Sequence, residues 1–600
     1  MRARAGDPPR TMTQKVLAGR ADDPELKGDL VRVKVDQVIL AREPQRVLGE
    51  ALQAGMKKCA VEVAVAYDTR CVTTDGAETP GDRTMRAALA TGLLLCRPGI
   101  GFPAPVHLER FGSPARLALT DEPRLASVGG AGMLTLVAAP SQLAEALATG
   151  ALWLRPPRSV QVLLSGRIRP FVCVRDVALE LVRRGLGEII QRVDREHRAP
   201  VVVEFAGPSA RLLSVPDRAV LAALGPHVGA AAAVFVSDEK TEVYLRDQRR
   251  SKAHRSLVPD PGAPCDDVIS VDLSAVDPLV MDEQGVVRPV RELAGKPVVQ
   301  VVLGGDSGAS LRDLLAAAAL LKSKRVPPRL DLLIAPPSRQ ALEVLAHSGA
   351  LVDLIATGAR LIEPDQRLVT GELYPPPAGG VSLRTCDPEP SAPPERRFVV
   401  ASAETIAYAV ASGSVGDPRS FKRPVRVTVP RTLPTDDVLI VRKSKTKGKT
   451  EGDGAKATLS TFPQPTGWNV AAALTLIKER SIPTEPSAML LPTLDAVRWA
   501  ARHASELGPA LRAVIAEHLP AGIVPQFAAL GIAALTTDAA TLKKLGLEPS
   551  ISLPAPANAE VSVSAGSTKA TLRWEAVGAE RAWTEAGTAR GSTAVAKPGR

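Results

Sequence analysis

An α/β protein built around parallel sheets is what this sequence predicts, and three observations carry that expectation. Continuous apolar runs rich in Val, Ile and Leu alternate with segments of helical period over most of the 600 residues. Strands of this kind, separated by helices of about 10–15 residues, belong in sheets covered on both faces. The composition is globular, at 45% hydrophobic and 23% charged, which excludes disorder as the overall state. The length corresponds to about four domains at roughly 150 residues each.

In chain order, Val61–Tyr67 (VEVAVAY) reads as a buried strand and Arg83–Leu95 as helix. Val160–Leu164 is strand-like and Val174–Arg184 helical. The strands Pro200–Phe205, Val298–Leu303 and Leu330–Ala335 follow, the last two leading into helices over Ser310–Ser323 and Ser338–Ser348. Two segments break the pattern. Pro375–Pro394 carries too many prolines for a helix or a central strand. Arg442–Lys456 (RKSKTKGKTEGDGAK) is polar, Gly-punctuated and expected to be a flexible loop. The alternation restarts near Ser420–Arg431, which sets a boundary before a C-terminal unit.

Aromatic residues make up 3% of the chain, so the cores are aliphatic, and nucleic-acid binding by stacking on aromatic platforms is disfavoured. The six cysteines are never closer than 12 positions, which excludes CxxC, zinc-knuckle and ferredoxin spacings. They are also too sparse for a secreted disulfide framework, and a cytoplasmic setting fits. The longest apolar stretches, such as Leu314–Leu321, fall far short of the roughly 18 residues a membrane span requires. Met1–Arg10 has no apolar segment behind its arginines and is not a signal peptide; Met12 is an alternative start.

Gly304-Gly305-Asp306-Ser307-Gly308 joins a strand to a helix, where backbone N–H groups can hold an anion. Its spacing is neither GxGxxG nor GxxxxGK[ST]. The Gly-Asp-Ser-Gly string mimics a serine-protease nucleophile, but that reading requires an all-β setting. The seven histidines form no HxxxH or HExxH pair, and isolated histidines are mostly structural or exposed. Lys443, Lys445, Lys447 and Lys449 could touch phosphates, although a solvated loop explains them as well.

Longer strings carry a resemblance. Thr11–Lys15 (TMTQK) with Gly28–Val31 and Val35-Asp36, Val106–Phe111 (VHLERF), Ala146–Leu154, Val203–Ala230 and Asp238–Leu245 are similar to the opening domains of the aconitase and isopropylmalate dehydratase family. Leu311–Val326, Val400–Arg419, Pro434–Asp437 and Arg512–Ala516 through Phe527–Leu535 continue the match in the order of the fused, single-chain members. The resemblance implies an aconitase-like core of three α/β/α domains, with domains 1 and 2 in residues 1–290 and domain 3 in 291–420. A swivel domain over 421–600 follows, with a flexible Lys-rich loop at 442–456 and a disordered C-terminal tail. It implies hydro-lyase activity on citrate- and isocitrate-type hydroxy acids, and a [4Fe-4S] cluster held by three cysteines.

Against that pattern, the positions of the three cluster thiolates read Asp306, Gln366 and Val369, and no cysteine lies between Cys265 and Cys386. Soft thiolates hold iron–sulfur clusters, and a carboxylate, an amide and an isopropyl group do not replace them. The resemblance therefore implies that no cofactor is present. The family's Asp-His pair is Asp68-Thr69, its Cys-His-Gln-Val string is Pro103–Val106, and its Thr-Asp-Ser-His-Thr string is Thr120–Arg124, so that only Asp68 and Asp121 are retained. Its Asn and Glu on the helix after the second sheet correspond to Ala223 and His227. Its segment of two carboxylate-gripping arginines reads Thr385–Ser391, and its serine base falls at Arg498. The expectation is a pseudoenzyme with a residual binding role, a small carboxylic acid being a candidate for the cleft. Two other readings stay open. One is an active hydro-lyase using Mg²⁺ or Mn²⁺ on Asp68, Asp121 and Asp306. The other is a nucleic-acid-binding regulator, supported by the net charge of +11 and the lysine loop.

Overall fold

The computed structural model describes residues 8–72, 80–389, 392–435, 437–442, 472–478, 480–507, 510–555 and 558–586. The Lys443–Lys449 run, Ser391 and the C-terminal tail lie outside them. The α/β expectation holds, in three layered units and a barrel.

The first sheet runs in the order Ile440–Val441, Leu94–Cys96, Val63–Tyr67, Gln37–Leu40, Leu117–Thr120, Leu134–Val137. All its pairs are parallel except the first. It is buried on both faces: one packs Val38, Leu40, Ala64 and Leu119, the other Ile39, Val65, Tyr67 and Ala118. The segment expected as one helix over Arg83–Leu95 is divided. It is helical over Pro80–Ala88 and turns through Leu89–Thr91. At Gly92 the backbone enters the left-handed region, and the chain becomes a strand at Leu94–Cys96.

The second sheet is wholly parallel, in the order Ala232–Phe235, Val201–Ala206, Arg158–Ser165, Asp267–Asp272. It meets the first unit through the turn-like stretch Pro123–Ala131. Here the two backbones approach so closely that a Cβ on Gly129 would stand 1.8 Å from the Ala233 carbonyl oxygen, so only glycine fits.

The third sheet runs Val287–Pro289, Leu279–Met281, Val399–Ala401, Val381–Arg384, Val298–Gly304, Asp331–Ala335, Arg360–Leu361. Its middle is parallel and its first two pairs antiparallel. The expectation for Pro375–Pro394 is corrected here. Val381–Arg384 is a buried inner strand, hydrogen-bonded on one side to Val298–Val302 and on the other to Val399–Val400. The prolines flank this window and none interrupts it, so no ladder donor is lost.

The helices begin where their caps dictate. Ser310 accepts from Asp313 N while Asp313 reaches back to Ser310 N, starting the helix Leu311–Leu321, and Ser338 does the same work alone for Arg339–His347. The C-terminal unit is a closed barrel of Ala472–Ile477, Ser487–Leu491, Leu511–Ala516, Ala533–Thr536, Thr568–Trp574, Glu560–Ala565 and Ser550–Leu553. It docks on the earlier units through buried charge, chiefly Arg155 Nε donating to Glu580 at 2.8 Å and Asp194 accepting from Ala521 N at 2.9 Å. No helix among the described residues is long and apolar enough to cross a membrane.

His107 shows how the first unit is locked. Gln37 Nε2 donates to the Phe111 carbonyl, which turns Gln37 Oε1 toward His107. His107 Nε2 therefore donates to Oε1 at 2.9 Å, and Nδ1 accepts from the Tyr67 hydroxyl at 3.1 Å. Burial holds the imidazole neutral, with its pKa lowered to about 3. The unfolded chain binds that proton near pH 6.5, so stability is full above this value and is lost as pH falls toward 3. Between pH 7 and pH 5 this one group removes about 2 kcal/mol. In the variant His107→Leu the shift of the urea midpoint between those two pH values should be correspondingly smaller; an unchanged shift refutes the assignment.

Candidate functional site

The carboxyl ends of the first and third sheets, the start of the second unit's helices and one helix of the barrel converge on a single cleft, as expected for open α/β sheets. A cavity of about 200 Å³ lies there, lined among others by Arg42, Asp121, Glu122, Arg124, His227, Glu389, Arg498 and Arg502.

Asp306 follows the strand Val298–Gly304 through a turn that the surrounding backbone compresses. A Cβ on Gly308 would stand 1.5 Å from the Thr385 carbonyl oxygen, and the Thr385 hydroxyl both accepts from Gly304 N and donates to Gly304 O. The Asp306 side chain is thereby delivered to Arg124, whose Nη1 lies 3.2 Å from it. Burial drives the Asp306 carboxyl up, and the Arg124 guanidinium works against that. Arg124 also donates to the Asp387 carbonyl at 3.0 Å and stands 3.8 Å from Glu389. Arg502, from the barrel helix Leu494–Arg502, pairs with the same Glu389, and Arg42 stands 3.7 Å from it and 3.4 Å from Glu122.

A second cluster adjoins this one. Arg175 pairs with Asp387 at 2.8 Å and donates to the Thr385 carbonyl, while His227 lies 3.6 Å from Asp387. Burial alone would raise the Asp387 carboxyl, but Arg175, then His227 and Arg124, bring it below its ordinary value. The His227 imidazole is lowered to about 4, chiefly by burial.

The positions singled out in the sequence separate. Gln366 Nε2 donates to Asp306 at 3.3 Å, so these two meet. Val369 is fully buried in an apolar cluster with Phe102, Val302, Leu333 and Cys386 and contributes no donor. Burial pushes the Cys386 thiol up to about 11. A cluster held by three thiolates does not fit at these three positions. Asp121 accepts from the backbone N–H groups of Ala41, Arg42 and Glu43 at 2.7, 3.1 and 2.8 Å. It pins the loop after the strand Gln37–Leu40, a structural task. Asp68 is half-buried and accepts from Arg70 N at 3.4 Å. Among the described residues, Asp68, Asp121 and Asp306 do not form a metal-holding group.

A different group does. Cys173 Sγ and one carboxylate oxygen each from Asp313 and Glu404 lie within 4.8 Å of one another, all three residues buried. Spacing rules cannot find such a group, because its members come from three separate helices. Arg124 and Glu389 lie inside the strings Thr120–Arg124 and Thr385–Ser391 but were given no role there, and Arg502 lies in no motif.

The family model described as Aconitase family (aconitate hydratase) matches residues 125–286. The chain is 32% identical over 288 residues to the probable 3-isopropylmalate dehydratase large subunit of Methanothermobacter thermautotrophicus, covering 47% of this chain and 67% of that protein. It is 26% identical over 422 residues to 3-isopropylmalate dehydratase large subunit 2 of Archaeoglobus fulgidus, covering 69% and 99%. Against the homoaconitase large subunit of Thermus thermophilus it is 28% identical over 362 residues, covering 59% and 83%. These findings overturn the expectation that no cofactor is present. The matches are to dehydratases of the family for which the resemblance implied [4Fe-4S], and Cys173, Asp313 and Glu404 form a group that can hold a metal ion. Fold, collinear strings and relatives agree: the chain belongs to the aconitase family.

Proposed function

We propose that this family member has given up hydro-lyase chemistry at its central cleft and retains the cleft as a binding site for a small carboxylic acid. The observation that carries the reading is the contact between Arg124 and Asp306 at 3.2 Å. Where the resemblance assigns a thiolate, a buried carboxylate is already neutralised by a guanidinium. At the position assigned to the serine base stands Arg498, which lines the cavity. A guanidinium carries no acceptor and cannot take up a proton.

The electrostatics favour an anion. Arg498 and Arg502 lie one helical turn apart and both border the cavity, together with Arg42 and Arg124. Burial, and after it the field of Arg42, lowers the Arg502 guanidinium well below its ordinary value. A carboxylate entering the cavity relieves that crowding of positive charge and accepts charge-assisted hydrogen bonds. The six free cysteines support a reducing, cytoplasmic compartment.

Three outcomes follow from this reading. After anaerobic reconstitution with iron and sulfide, neither citrate, isocitrate nor 3-isopropylmalate should give the absorbance of an unsaturated acid above a protein-free blank; turnover overturns the proposal. In calorimetric titration the non-reacting tricarboxylate tricarballylate should bind the wild-type chain, and Arg498→Gln should weaken it about 10–100-fold. No binding to the wild type, or equal binding to both, removes the carboxylate. Finally, Arg124→Met leaves Asp306 and Glu389 without this buried partner and should lower stability by about 3–5 kcal/mol in urea, with Arg124→Met/Asp306→Leu recovering part of the loss. Equal losses in the single and double variants would show that the pair is not coupled.

A further inference from the structure

Three helices start at one place on the boundary between the second and third units. Cys173 is the N-cap of Val174–Arg183, Asp313 lies in the first turn of Leu311–Leu321, and Glu404 lies in the first turn of Ala403–Ser412. Cys173 and Glu404 share a side-chain hydrogen bond, which brings thiol and carboxylate together. Asp313 Oδ2 accepts from Ser310 N at 2.8 Å and Ser310 Oγ at 2.9 Å; Arg312 approaches Oδ1 only to 3.9 Å. Glu404 is 7% exposed, yet its Oε2 has no hydrogen-bond partner. A buried carboxylate oxygen without a partner is costly, and this one belongs to the group whose donor atoms lie within 4.8 Å of each other.

We propose that Cys173 Sγ, Asp313 and Glu404 bind a divalent transition-metal ion of the Zn²⁺ class, stapling the second unit to the third. One thiolate with two carboxylates is a borderline-soft donor set, which suits Zn²⁺ and Co²⁺ and disfavours Mg²⁺ and Ca²⁺. The three converging helix N-termini favour the ionised ligands. Asp176 accepts from Cys173 N at 2.9 Å and from Leu279 N at 2.9 Å, fixing the backbone that presents the thiol.

The site shares no ligand with Asp306, Gln366 or Val369, so this proposal and the cleft reading fail separately. The test uses full-length protein stripped with chelator and loaded with Co²⁺, by incubation and in parallel by expression in Co²⁺-supplemented medium. One equivalent of Co²⁺ should bind with a thiolate-to-metal charge-transfer band, and Zn²⁺ should displace it. Cys173→Ser should abolish the band. The isosteric Glu404→Gln should keep the fold and lose on the order of tenfold or more in Co²⁺ affinity. A wild-type protein without the band under both loading conditions, or a band that survives Cys173→Ser, overturns the proposal, as does undiminished affinity in Glu404→Gln.

Discussion

Placing a guanidinium out of water costs several kcal/mol unless its surroundings repay it, and Arg124 is only 5% exposed. That constraint organises the cleft. Arg124 comes from the turn that follows the strand Leu117–Thr120 of the first sheet, Asp306 from the turn after the longest strand of the third, and the Asp387 carbonyl from the segment after its neighbouring strand. The two sheets must hold their carboxyl ends at one distance for both contacts to exist. Arg175 extends the constraint to the second unit through Asp387, and Arg502 extends it to the barrel through Glu389.

The same packing fixes the backbone around the cleft. The strand–turn–helix around Gly304–Gly308 is held in one geometry by Thr385 and the neighbouring backbone, which leave no room for another. Asp121 holds three backbone N–H groups, a task independent of any reaction. A buried network of paired arginines and acids fits between the sheets without disturbing them, because its charges are balanced locally.

Much of the fold was legible in the sequence, for physical reasons. Val298–Leu303 and Leu330–Ala335 read as strands because sheets covered on both faces require unbroken apolar runs, and Ser310 and Ser338 marked helix starts through their side-chain oxygens. Val381–Arg384 was missed because its four residues are hidden between prolines, and composition averages over a longer window than the strand occupies. The candidate sites were legible only in part. Asp306 and Gln366 meet as neighbours in space, but the arginine that neutralises Asp306 comes from another unit, and pairing across such distances leaves no local pattern. Cys173 was passed over for the same reason: its companions, Asp313 and Glu404, start two other helices, so no spacing rule links them.

The edge of the first sheet is closed by Ile440–Val441, laid antiparallel on Leu95–Cys96, with Arg97 N donating to the Leu439 carbonyl at 2.9 Å. During synthesis this strand leaves the ribosome only after the whole of the second and third units. Until then the Leu94–Cys96 edge has open donors and acceptors, the kind of surface on which nascent chains pair wrongly. The unit that begins the chain is therefore among the last to be finished. A long-range closure of this kind slows folding, and it couples the completion of the first sheet to the prior folding of everything between.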